Sequence, residues 1–61
     1  MIQWSRNDFI KMLEKNGYSY LRSRGSHSIY VKKGNHITVP LRIKAVIARR
    51  LIKENNLNIN L

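Results

Sequence analysis

Between Tyr18 and Val39 apolar and polar residues alternate with a period of two, and the alternation breaks twice, at Arg24-Gly25-Ser26 and at Lys33-Gly34-Asn35. A period of two belongs to a strand with one face on a core, and a glycine within a short polar break belongs to a hairpin. The stretch predicts three antiparallel strands joined by two tight turns. With three residues in each loop, Leu21 lies opposite Ile29, Val31 opposite Ile37, and Ile29 opposite Val39, so one face is consistently aliphatic. The other face then collects Tyr18, Tyr20, Arg22, Tyr30, Lys32, His36 and Thr38 and is aromatic and basic. A two-residue second loop, setting Lys32 opposite Ile37, mixes the faces; the three-residue reading is preferred.

Helical patterns flank this stretch. Ser5 followed by Asp8 resembles a capping box with aspartate in place of glutamate, and Trp4 is placed to meet Phe9 as a hydrophobic staple. Phe9, Ile10 and Leu13 form an apolar stripe, and Asn16-Gly17 supplies a left-handed stop, which predicts a helix over residues 6–16. Pro40 ends the last strand, and Ile43, Val46, Ile47 and Leu51 recur at helical spacing through about residue 54. Arg42, Arg49 and Lys53 share a narrow arc on that helix, since steps of seven and eleven residues return nearly to the same angle. Asn55 and Asn56 can end it. In the tail, Leu57, Ile59 and Leu61 alternate with Asn58 and Asn60, a pattern compatible with an edge strand, a partner-binding segment or a frayed end.

The order helix, strand, strand, strand, helix predicts the α+β class: a three-stranded antiparallel sheet with two helices on one face. Double-stranded-RNA-binding domains share this α-β-β-β-α plan. Residues 1–61 read as a single domain with a thin core, since a chain this short buries a modest share of its surface. A permanent partner would help it. There is no cysteine to staple the fold, no apolar run approaches a membrane span, and the first residues lack signal-peptide architecture, so the default location is cytoplasmic. Twelve lysines and arginines against three acids give a formal charge of +9. Such a field attracts polyanions by releasing their counterions, and nucleic acid leads the partners it implies.

The chemistry concentrates in Arg22-Ser23-Arg24-Gly25-Ser26-His27. Glycine permits a tight turn, arginine offers a planar fork of donors to phosphate, and histidine exchanges a proton near neutral pH. Asp8, Glu14 and Glu54 all fall on helices without a common motif, so no metal site and no cofactor is expected. In the register above His36 lies opposite Lys32, roughly 17 Å from His27 at 3.3 Å per residue, too far for the two histidines to share a phosphate. Ser28 lies opposite Pro40, which sets His27 at the sheet end where the second helix begins. Arg24 and Arg42 are placed to reach an anion there, and Ser23, opposite His27, to orient it. His27 shares the parity of Ile29 and Val31, so an inward-pointing histidine at the rim stands beside the catalytic reading.

Asn16-Gly17-Tyr18, then Arg22 to His27, Ile29-Tyr30, and Val39-Pro40 before an aliphatic helix resemble the HicA toxins of bacterial HicA-HicB systems. The resemblance covers most of the chain. It implies a double-stranded-RNA-binding-like fold, ribosome-independent mRNA cleavage, and inhibition by a HicB-like antitoxin through which operator DNA is recognised. It places the family's catalytic histidine on His27. Many members carry another histidine shortly after the Val-Pro, where this chain has Leu41 and Arg42. The expectation is a metal-independent endoribonuclease with His27 as general base, and with Arg22, Arg24, Ser26, Tyr30, Lys32 and Arg42 contacting RNA. The alternatives are a non-catalytic RNA-binding module with stacking tyrosines and, more weakly, a small DNA-binding regulator.

Overall fold

A computed structural model describes residues 3–59; the expectations for Asn60 and Leu61 lie outside them. Helix α1 runs over Arg6–Lys15. Its start has a local cause: the Ser5 hydroxyl accepts a hydrogen bond from the Asp8 amide at 3.1 Å, and the Trp4 ring meets Phe9 edge-on with centroids 5.8 Å apart. Its end has one too. Gly17 takes φ +93°, which lets the Gly17 amide donate to the Glu14 carbonyl and the Tyr18 amide donate to the Leu13 carbonyl, both at 3.0 Å. This pair of bonds satisfies carbonyls the helix would leave open.

Three strands follow, β1 (Ser19–Arg24), β2 (His27–Lys32) and β3 (Asn35–Val39), in the spatial order β1-β2-β3, and then helix α2 over Ala45–Glu54. Helix α2 closes as α1 does, with Asn56 at φ +51° and the Leu57 amide donating to the Ile52 carbonyl at 3.0 Å. The chain is thus α-β-β-β-α, as expected. Both helices cover one face of the sheet: Phe9, Met12 and Leu13 of α1, Ala48 of α2 and Ile43 before it pack in one cluster with Tyr18, Tyr30, Ile37, Val39 and Leu57. Phe9 and Leu13 are sealed completely. Each such burial contributes about 1.5–3 kcal/mol, which matters in so small a core.

The register corrects the expected one. Both loops hold two residues, so Arg24 pairs with His27 across Gly25-Ser26, and Lys32 pairs with Asn35 across Lys33-Gly34. Gly25 alone is at positive φ in the first turn, whereas Lys33 and Gly34 both are in the second, the signatures of type II′ and type I′ turns. These turns match the twist of the flanking strands, and they win over the longer loops. The consequence is an exchange of faces in β2 and β3. Tyr30 lies opposite Ile37 and Ser28 opposite Val39, and all four are buried, while Ile29 and Val31 take the open face beside Thr38 and His36. A two-residue turn therefore does not set Lys32 against Ile37, and it keeps a buried face coherent, with Tyr30 rather than Ile29 in the core.

One irregularity lies in β1. Tyr20 pairs with Tyr30 and Arg22 with Ile29, which leaves Leu21 bulged out of the ladder and 47% exposed. An extra residue on one strand shifts the parity of everything before it. Tyr20 and Ser23, three apart, consequently face the helix side together, while Arg22 and Arg24 face away with His27.

The tail is neither an edge strand nor a frayed end through Asn58. Leu57 is buried in the core, the Asn58 amide donates to Asn16 Oδ1 at 2.8 Å, and Asn16 Nδ2 donates to the Asn58 carbonyl at 3.0 Å. A second amide ties the start of β3 to the segments after both helices: Asn35 Nδ2 donates to the Tyr18 hydroxyl at 2.7 Å and to Asn55 Oδ1 at 2.8 Å.

Candidate functional site

His27 is the first residue of β2, directly after the Gly25-Ser26 turn. The turn needs glycine for its backbone and not for space, since Gly25 takes φ +59° while an added Cβ would meet nothing within 4 Å. His27 is exposed, and its imidazole makes no hydrogen bond among the described residues. The inward-pointing alternative is thus resolved: His27 shares a face with Ile29 and Val31, but that face is the open one. Arg24 is its cross-strand partner, and Arg22, paired with Ile29, stands on the same face one pleat further along. Both guanidinium groups are exposed, as is Ser26 in the turn.

Arg42 lies in the segment 40–44 between β3 and α2 and is exposed, so it is not part of the helical arc with Arg49 and Lys53. That segment leaves β3 at Val39, the partner of Ser28, and so begins at the His27 end of the sheet. Two expected contacts change. Tyr30, 6% exposed, faces the helices, where burial pushes its hydroxyl above the usual tyrosine range, with help from Glu14, opposition from Arg6 and a lesser push from Tyr20. It is not presented for stacking on a base. Lys32 is also on the helix side, its ammonium 5.7 Å from the centre of the Tyr18 ring. Ser23 lies opposite Ser28 and not opposite His27. His36 lies opposite Val31, about 13 Å along the strand from His27, with Nδ1 3.2 Å from the Gly34 carbonyl. The two histidines remain separate, as expected, at a corrected position.

Sequence reasoning missed a polar cluster behind the turn. The Arg6 guanidinium donates to Ser28 Oγ, Ser28 Oγ is 3.4 Å from Ser23 Oγ, and Ser23 Oγ is 2.8 Å from the Tyr20 hydroxyl. The bulge at Leu21 assembles it, and no pattern in the sequence marks that bulge. Among the described residues no three histidine, aspartate or glutamate side chains converge, and no helix is long and apolar enough to cross a membrane.

Fold and site together define a class: a small, strongly basic α-β-β-β-α protein that presents an exposed histidine beside two arginines of the neighbouring strand at a hairpin turn. A family model described as HicA toxin of bacterial toxin-antitoxin matches residues 6–57 of the 61. The chain belongs to the HicA toxin family, and it is accordingly a toxin of a toxin-antitoxin system with an antitoxin as its partner. No curated protein and no solved structure gives a match.

Proposed function

We propose that this toxin is a metal-independent endoribonuclease that cleaves mRNA with His27 as general base. The observation that supports it most is the exposed imidazole at the type II′ turn, paired with Arg24 and one pleat from Arg22 on an open basic face. The imidazole takes the proton of a ribose 2′-hydroxyl, and the 2′-oxygen forms a bond to the adjacent phosphorus as the bond to the 5′-oxygen breaks. The leaving oxygen takes a proton from water, and a 2′,3′-cyclic phosphate remains on the upstream fragment. Arg22 and Arg24, with Arg42 from the 40–44 segment and Ser26 in the turn, neutralise and hold the phosphate as its charge grows. Residues 1–61 act as one domain in the cytoplasm. A HicB-like antitoxin of acidic character fits the +9 charge, covers the site, and reaches operator DNA on behalf of the complex.

The second reading, a non-catalytic RNA-binding module, has one observation in its favour: Tyr20 is 56% exposed, so part of its ring is open to a base even while it meets Tyr30 edge-on. Incubating the purified chain with labelled RNA separates the two. A positioned base contributes about 10²- to 10⁴-fold, so His27→Ala should nearly abolish cleavage while RNA binding persists. Cleavage at the wild-type rate by that variant sinks the assignment. Cleavage should also continue in chelator.

A further inference from the structure

Arg6 is a half-buried guanidinium without a counterion. It makes no ion pair among the described residues, it donates to Ser28 Oγ, and its Nε is buried with no hydrogen-bond partner. A buried donor left open costs free energy, and an uncompensated charge costs more, so the position is best explained by a group that arrives from outside. The groups around it specify that group's chemistry. Ser28, Ser23 and Tyr20 continue from the guanidinium as a chain of hydroxyls at 3.4 and 2.8 Å. A guanidinium only donates, so each hydroxyl is free to pass its own hydrogen outward along the chain. The outermost donor is the exposed Tyr20 hydroxyl on β1, an edge strand. A cation followed by hydroxyl donors, with no acid among them, suits a phosphate.

We infer that Arg6, Tyr20, Ser23 and Ser28 form a second phosphate subsite, entered over the β1 edge, that holds an RNA backbone phosphate next to the one beside His27. The inference rests on the ribonuclease reading and extends it. Ser28 follows His27 directly and faces the opposite side of the sheet, so the two sites lie on either side of the same strand end. A single-stranded backbone turning around the hairpin edge meets both. The bulge at Leu21 has its purpose here: without the extra residue Tyr20 would face the open side, away from Ser23.

The experiment uses His27→Ala as a non-cleaving background and a short single-stranded RNA as the probe. Affinity is measured against salt concentration for that protein and with Arg6→Gln, Ser23→Ala or Tyr20→Phe added. Arg6→Gln should reduce the slope of log K against log salt by about 0.7, the share of one phosphate contact in a single strand. Tyr20→Phe, an exposed change that removes only the hydroxyl, should weaken binding roughly tenfold with the slope unchanged. A merely structural Arg6 would alter melting and leave the slope alone. An unchanged slope in a folded Arg6→Gln protein overturns the subsite while leaving the ribonuclease reading intact; should that variant not fold, unchanged affinity in both Ser23→Ala and Tyr20→Phe overturns it equally. Loss of antitoxin binding with RNA affinity intact assigns the cluster to the protein partner and also overturns it. Failure of the background protein to bind RNA at all removes the parent reading and this one together.

Discussion

Asn16 and Asn58 exchange two hydrogen bonds across 42 positions of the chain, at 2.8 and 3.0 Å. Both Asn58 groups are backbone, whereas Asn16 supplies its side-chain amide, which also donates to the Met12 carbonyl at 2.8 Å. One side chain therefore caps α1 and anchors the tail that brings Leu57 into the core. Asn16→Ala should destabilise the fold by about 1–3 kcal/mol, since it leaves partners of several bonds unsatisfied. In a domain this small each kcal/mol lowers Tm by about 4–8 °C, an effect thermal denaturation resolves. Asn16→Asp keeps the acceptor for the Asn58 amide and should fall between the two. An alanine variant that melts with the wild type would show that the tail is held by Leu57 alone.

Lys33 occupies φ +48° at the first central position of the β2–β3 turn, a left-handed conformation that asparagine adopts more readily than lysine. Lys33→Asn creates the Asn-Gly pair this turn type favours and should stabilise the protein by about 0.5–1 kcal/mol, visible as a shift in denaturant midpoint. The turn lies at the opposite end of β2 from His27, so RNA cleavage should change little. A destabilised variant would contradict the two-residue turn.

The elements with local causes were legible in the sequence. Ser5, the Trp4–Phe9 pair and Asn16-Gly17 announce the ends of α1 within one residue, because caps act through neighbours along the chain. The register was not, and the reason is specific. Ile29 and Val31 look more like core residues than Tyr30 does, yet turn geometry fixed which parity went inside, and a buried tyrosine with an outward Ile29 was the result. Ser28 and Ile29 illustrate how little composition decides once a two-residue turn sets the phase. At the site, His27, Arg22 and Arg24 could be read together because one turn joins them. Arg6 meets Ser28 across 22 positions, and Tyr20 joins Ser23 only through a bulge, so that cluster left no local trace.

Gly25 connects stability to the proposed chemistry. Its φ of +59° is one that a residue with a Cβ adopts at a cost of about 1–2 kcal/mol, and nothing nearby would clash with the added methyl. Gly25→Ala should therefore fold with a stability loss of that size and no more. Cleavage should fall further than stability does, because relaxation of the turn moves His27 relative to Arg24. Rates measured well below the melting temperature test this. Full activity in a clearly destabilised Gly25→Ala protein would mean that the Arg24–His27 pairing does not set the reactive geometry.

Tyr30 gives the fold an alkaline limit. Burial, its largest influence, raises the hydroxyl's pKa above the ordinary value of 10.0, with Glu14 and Tyr20 adding to the rise and Arg6 opposing it. The unfolded chain ionises its tyrosine first as pH increases, so the folded state binds the proton more tightly. The associated stability is fully present below pH 10.0 and is lost as pH rises from there through the folded pKa. Wild-type protein should lose denaturant resistance over that window more steeply than Tyr30→Phe, which keeps the ring and has no proton to release. The tyrosinate absorbance that Tyr30→Phe removes should appear above pH 10.0 in the folded wild-type protein. Parallel pH profiles for wild type and Tyr30→Phe would locate the alkaline limit in another residue and would remove the Tyr30 hydroxyl from the interior of the sheet.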